Sequence, residues 1–153
     1  MMARLAGRRL REATAFWDAS ALVPVCFKES ASGQAQSYFR KFGQVVWWAS
    51  AVEIYSAICR LYREGKMADL DKDRAVSRLR SLRDGWREIL PDEAIRNLAC
   101  SLLEKPLKTS DSLQLAASLV WCNQRPSRRT FICGDRRLSS AAASAGFTVI
   151  QMS

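Results

Sequence analysis

Ala15-Phe16-Trp17-Asp18-Ala19-Ser20-Ala21-Leu22-Val23 is the stretch on which the fold of this 153-residue chain turns. A short apolar run stops at an acid, and from Ser20 through Phe27 the pattern becomes helical, with Pro24 early enough to be tolerated in the first turns. The same order returns near the other end. Thr130-Phe131-Ile132-Cys133 reads as a strand that stops at Gly134-Asp135, and a small-residue helix from Ser139 to Ala145 follows and ends at Gly146. A strand that runs into a helix through a short turn is the opening of a parallel crossover, so both stretches predict a sheet with helices packed on its faces.

Working outward, the segment Gln34 to Phe42 is amphipathic and Gln44-Val45-Val46-Trp47-Trp48 reads as a second strand. Ser50 is placed to cap a helix in which Ile54, Ile58, Leu61 and Tyr62 recur at helical spacing, with Gly65 at its C-terminal cap. Ala68 to Asp84 is highly charged and carries Leu70, Val76, Leu79 and Leu82, which suits an outer or paired helix. Trp86 to Leu90 reads as a short third strand, and Pro91 begins a helix through Leu103. Thr109 or Ser110 caps a largely apolar and therefore central helix through Val120. A polar loop, Asn123 to Arg129, precedes the Thr130 strand, and Phe147 to Ile150 is the last strand. The whole is an α/β chain, a three-layer α/β/α sandwich around a central, mostly parallel sheet of four to five strands. Residues 1–13 read as a mobile basic extension and residues 14–153 as a single domain.

Composition narrows the chemistry. With 48% hydrophobic residues the chain can build one sizeable core, and a net charge of +9 favours an anionic partner such as nucleic acid, although a solvated basic surface reads the same way. There is no histidine, which excludes a Ser-His-Asp triad, a Cys-His pair and imidazole ligation of a metal. The five cysteines, Cys26, Cys59, Cys100, Cys122 and Cys133, are odd in number and scattered, which argues for buried thiols in a reducing cytoplasm rather than disulfides or zinc. Arg4, Arg8, Arg9 and Arg11 before an apolar run imitate a secretory signal, but Asp18 interrupts that run, and no stretch has the length of a transmembrane helix.

Four acids stand at or beside helix starts. Asp18 and Asp135 follow strands, where ligands bind in open parallel sheets, and Glu53 and Asp111 open the next helices. Each taken alone is adequately explained as a cap or a dipole partner. Taken together they ask for more, because capping would be served equally by Ser, Thr or Asn, and because Asp18 and Asp111 have apolar neighbours that make an unpaired charge costly. Converging carboxylates repel one another unless a cation lies between them, and oxygen-only ligation suits Mg²⁺, with Mn²⁺ as substitute.

The segment Phe16 to Val23, Ala51-Val52-Glu53-Ile54, Leu107 to Ala117 around Asp111, Thr130 to Leu138 around Asp135, and the ending Ala145 to Ile150 resemble, in order, the motifs of PIN domains. The short single-domain form looks most like the VapC toxins of toxin–antitoxin pairs. The resemblance implies a metal-dependent endoribonuclease in which Asp18, Glu53, Asp111 and Asp135 hold Mg²⁺, with hydrolysis to a 5′-phosphate and a 3′-hydroxyl, a cognate antitoxin and a homodimer. The chain departs from the pattern at Ala19, where Thr is often found, at Cys133, where Thr or Ser is often found, and at Gln114, where histidine is common.

Ser20 is an auxiliary ligand candidate or an N-cap. Lys28, Arg60, Arg136 and Arg137 are candidates for RNA contact near the rim, with Arg125, Arg128 and Arg129 on a nearby loop; any one of them taken singly reads better as a solvated side chain. Trp47, Trp48, Trp86 and Trp121 are read as core rather than base-stacking residues. The competing function is a non-catalytic PIN-like module that binds RNA or protein. A phosphoryl-accepting domain with Asp18 as nucleophile is disfavoured by the single carboxylate of Asp18-Ala19-Ser20, and no glycine-rich phosphate loop is present.

Overall fold

The computed structural model describes residues 13–27 and 32–152; the arginine-rich start of the chain and Lys28 lie outside the described residues. Five strands are present among these residues: β1 (Ala13–Trp17), β2 (Phe42–Trp47), β3 (Arg87–Ile89), β4 (Thr130–Cys133) and β5 (Thr148–Gln151). They form one sheet in the order β3-β2-β1-β4-β5, and every neighbouring pair is parallel. Seven helices connect them: α1 (Ala19–Cys26), α2 (Ser32–Lys41), α3 (Ser50–Arg63), α4 (Asp69–Gly85), α5 (Glu93–Leu102), α6 (Thr109–Trp121) and α7 (Arg136–Ala145). The expected three-layer sandwich is therefore the architecture, with an entirely parallel sheet.

Alternation along the strands builds two cores. Ala15 and Trp17 of β1, Val46 of β2 and Ile132 of β4 face the layer of α1 to α4. Phe16, Val45, Trp47, Phe131 and Cys133 face the layer of α5 to α7. Phe16 stacks on Phe131 with ring centroids 5.4 Å apart, across the β1–β4 pair that places these two residues side by side. Burial on both faces is what a strand at the centre of a parallel sheet requires, and it explains why β1 reads as a continuous apolar run. The chain leaves β1 toward one edge through β2 and β3, then returns to the other side through β4 and β5. The order of strands thus reverses between β1 and β4.

The helix ends differ from expectation in several places. α3 is preceded by Ala49 and α6 by Lys108, with no side-chain capping bond at either, so neither Ser50 nor Thr109 nor Ser110 is a cap. Ser50 is instead a fully buried first-turn residue. Asp92, not Pro91, sets the start of α5, its side chain accepting from Ile95 N at 2.9 Å. α7 begins at Arg136, earlier than expected, because Asp135 caps it. At the end of α3 the N–H of Gly65 reaches Tyr62 O and that of Lys66 reaches Leu61 O, a Schellman closure with Gly65 at φ +71°, as its position in the sequence predicts.

Two readings of burial need correction. Trp47 and Trp86 are core, but Trp48 is half exposed. Cys26, Cys122 and Cys133 are buried thiols, whereas Cys59 is partly exposed and Cys100 exposed; all five are free. Leu79 is buried and Val76 and Leu82 pack on the core, which leaves Leu70 as the apolar residue of α4 available to a partner. Among the described residues no helix is long and apolar enough to cross a membrane.

Candidate functional site

The reversal of strand order between β1 and β4 opens a crevice at their carboxyl ends, the usual ligand position in such sheets. Asp18 follows β1 and Asp135 follows β4. Glu53 lies in the first turn of α3 and Asp111 in the first turn of α6. All four line one groove of about 560 Å³, together with Ser20, Val23, Val52, Ser56, Arg60 and Ser110. Residues far apart in sequence meet there because each belongs to the first residues after a strand end or to a helix that starts above the sheet.

The carboxylates fall into two pairs by what holds them. Asp18 is the N-cap of α1: its Oδ2 accepts from Ser20 N at 3.1 Å and from Ser20 Oγ in a short hydrogen bond. Asp135 is the N-cap of α7, its Oδ1 accepting from Leu138 N at 2.9 Å. For these two the capping explanation holds. Glu53 and Asp111 cap nothing. Glu53 Oε2 accepts from Gln114 Nε2 at 3.2 Å, and the same amide donates to Ser50 Oγ at 2.9 Å. Asp111 accepts no hydrogen bond among the described residues, although it is only partly exposed.

Electrostatics binds the four into one unit. Burial pushes the Asp18 carboxyl up, the bonds from Ser20 pull it back in part, and the charge of Asp135 raises it further. Glu53 is pushed up to about 7, chiefly by burial, with Asp18 and Asp111 adding repulsion against the Gln114 bond. Asp111 is pushed up to about 6 by burial and by the charges of Asp135 and Asp18, against the pull of Lys108 and Arg137. The ion pairs among the described residues are Lys66–Glu64 and Arg96–Glu93, so none of these carboxylates is matched by a cation within 4.0 Å. No group of three His, Cys, Asp or Glu side chains among the described residues is already drawn together around one ion position. The donor set suits a hard cation: it is all oxygen, partly buried, mutually repelling and in no close ion pair among the described residues.

Ser20 does more than the cap or ligand expected of it. Gly134 N donates to Ser20 Oγ at 2.8 Å, and an added Cβ at Gly134 would stand 3.2 Å from Ser20 O. The turn after β4 is thereby clamped against the first turn of α1, and Asp18 and Asp135 are fixed relative to each other. Cys133 lies beneath them with its Sγ 3.8 Å from Asp18 Oδ2 and accepting from Asp135 N at 3.2 Å. Burial raises its thiol to about 12, so it is neutral and no nucleophile.

Of the basic candidates, Arg60 lines the acidic groove, and Arg136 and Arg137 line a neighbouring cavity. Arg125, Arg128 and Arg129 are misplaced by the sequence reading: their loop feeds the amino end of β4, opposite to Asp135, and Arg129 lies 5.4 Å from the Trp121 ring. Gln114, known from the sequence only as a departure from a family pattern, is fully buried and orients Glu53. A glutamine inside the apolar run of α6 is the one sequence signal that marked it.

No family model matches the sequence, and no curated protein is similar to it. Solved structures are similar in shape. One is a toxin–antitoxin complex from Klebsiella pneumoniae, at 15% identity over 80% of this chain and 87% of that one, with a TM-score of 0.57. Another is PAE2754 from Pyrobaculum aerophilum, at 16% identity over 90% of this chain and 89% of that one, with a TM-score of 0.59. At such identities the likeness is one of fold, and this chain shares with both a single α/β architecture over most of its length.

Proposed function

We propose that the chain is a Mg²⁺-dependent endoribonuclease of the PIN type and the toxin of a VapBC-like pair. The observation that carries this is the set of four carboxylates lining one groove at the strand-order reversal, none of them in an ion pair among the described residues. The resemblance of the four sequence motifs to PIN domains adds support, as does the fold shared with a chain of a toxin–antitoxin complex.

Asp18, Glu53, Asp111 and Asp135 would hold Mg²⁺, or Mn²⁺ in its place, and the ion supplies Lewis acidity toward water and phosphate. The residues of the chain do the rest. Ser20 and Gly134 fix the spacing of the Asp18 and Asp135 caps. Gln114 keeps Glu53 turned toward the groove, and the Glu53 carboxyl, pushed up to about 7, is only partly ionised at neutral pH, which lessens the repulsion among the four acids. Val23, Val52 and Ala57 give the groove an apolar wall, and Arg60 offers a cation to a phosphate. An antitoxin would neutralise the same carboxylates with a basic side chain.

The second reading, a non-catalytic module that binds RNA or protein, draws on the absence of a preassembled group of three ligands among the described residues and on the capping use of Asp18 and Asp135. Titrating Mg²⁺ against purified protein on structured and unstructured RNAs separates the two. Cleavage that rises with Mg²⁺ and drops at least a hundredfold in Asp18→Asn is expected. Equal cleavage by both proteins, or RNA binding without cleavage by the wild type, would remove the enzyme reading.

A further inference from the structure

A second cavity, of about 580 Å³, lies beside the acidic groove and is built from the same two segments of chain. Lys105, Pro106 and Leu107 line it just before Ser110 and Asp111 reach the groove; Arg136 and Arg137 line it immediately after Asp135 does. Its chemistry is the reverse of its neighbour's. Lys105, Arg136 and Arg137 supply three cations, no acid lines it, and none of the three is in an ion pair among the described residues. Apolar side chains adjoin the cations on both segments, Pro106 and Leu107 beside Lys105 and Ala141 one turn beyond Arg137, and Ser140 and Ser144 place hydroxyls one helical turn apart along α7. From Asp135 to Ser144 the helix advances about 13 Å, so acids and cations share one continuous surface.

We propose that this cavity binds the nucleotide adjacent to the phosphodiester held at the four carboxylates, an inference that rests on the nuclease reading. Its phosphate meets Lys105, Arg136 and Arg137, its base lies on Pro106, Leu107 and Ala141, and the serine hydroxyls receive the sugar. The composition selects this ligand. An anion with an apolar face fits a cavity lined by both cations and apolar side chains, and a polymer carrying a charge at every step spans a cation-requiring groove and a basic cavity in succession. An acidic peptide matches the cavity but is repelled by Asp111 and Asp135 at its edge. Arg137 also acts across the boundary, since its charge reaches Asp111.

The test is fluorescence anisotropy with a short fluorescein-labelled single-stranded RNA, in chelator and again in Mg²⁺, comparing wild type with Lys105→Ala/Arg136→Ala. Arg80→Ala/Arg83→Ala, which removes the same charge from a separate groove, is the control. All replaced side chains are exposed, and thermal melts check that each variant folds. The cavity double variant should bind about tenfold or more weakly, and its slope of log affinity against log salt should shrink by about 0.7, one single-strand phosphate contact, while the control keeps wild-type values. Affinity and salt slope equal to the control's would overturn the inference, as would a polyglutamate peptide that displaces the RNA as effectively as unlabelled RNA does, or a wild type that binds RNA in neither buffer. The two readings fail separately. A wild type that binds through the cavity and never cuts removes the nuclease and leaves the cavity, whereas one that cuts while the double variant cuts and binds equally well removes the cavity alone.

Discussion

Gln114 joins two helices through one amide, and its effect on Glu53 has a definite sign. The bond to Glu53 Oε2 favours the ionised carboxylate, so losing it raises a value already at about 7. In Gln114→Leu, carbon-detected NMR titration of the glutamate carboxyls should show Glu53 titrating at higher pH than in wild type; an unchanged midpoint would mean that the amide does not control it. Gly134→Ala tests the clamp. Its new Cβ meets Ser20 O at 3.2 Å and Ser20 Oγ at 3.3 Å, so denaturant unfolding should register a loss of about 1–2 kcal/mol, and Mg²⁺ affinity should fall with it. The four acids were legible in the sequence because strand ends and helix starts announce themselves through local pattern. Gln114 was not, since its meaning depends on Ser50 and Glu53, more than sixty residues away.

At the level of the element, the glycine at the end of α7 is the clearest dependence. Gly146 sits at φ +116°, and a Cβ there would stand 3.0 Å from Pro126 Cγ, so neither the backbone nor the space admits a side chain. Gly146→Ala should cost about 1–3 kcal/mol in a chemical melt, and a variant as stable as wild type would refute the argument. Elements and their order could be read from periodicity, and Gly65 and Gly146 were both correctly placed as terminators. The caps of α3 and α6 could not: at α3 the helix-start preference for Ser yields to tertiary demand, since Ser50 Oγ accepts from Gln114, and α6 starts after Lys108, one residue ahead of the expected caps. The loop of Arg125 to Arg129 was misjudged for a geometric reason. It precedes β4 while Asp135 follows it, and parallel strands keep those ends apart.

For the molecule as a whole, the raised carboxyls make stability depend on pH in the direction opposite to most acids. Glu53 and Asp111 bind protons more tightly folded than unfolded, so the stability they lend is fully present below their ordinary values of 4.5 and 3.8. It is lost as pH rises through about 6 for Asp111 and about 7 for Glu53. In chelator the midpoint of thermal unfolding should therefore fall between about pH 4.5 and 8, more so in wild type than in Glu53→Gln or Asp111→Asn. Mg²⁺ should restore the loss at pH 8 in wild type only, because ligand bound to the folded state alone raises its stability. Identical pH curves for all three proteins would show that the groove stores no such repulsion. The layer architecture was recoverable from the sequence, since alternating strands and helices admit few topologies; the basic cavity was not, since Lys105 gains its significance only when α7 is laid beside it.

The place of β1 in the middle of the sheet governs when the protein comes into being. One flank of β1 is satisfied by β2, which follows within thirty residues, but the other waits for β4, whose first residue lies well over a hundred positions later. More than a hundred residues must therefore be made after β1 before Asp135 can reach Asp18, and shorter products carry neither the finished sheet nor the four carboxylates in one groove. Under the nuclease reading proposed above, such late completion would hold back any cutting until the residues through Asp135 have been made.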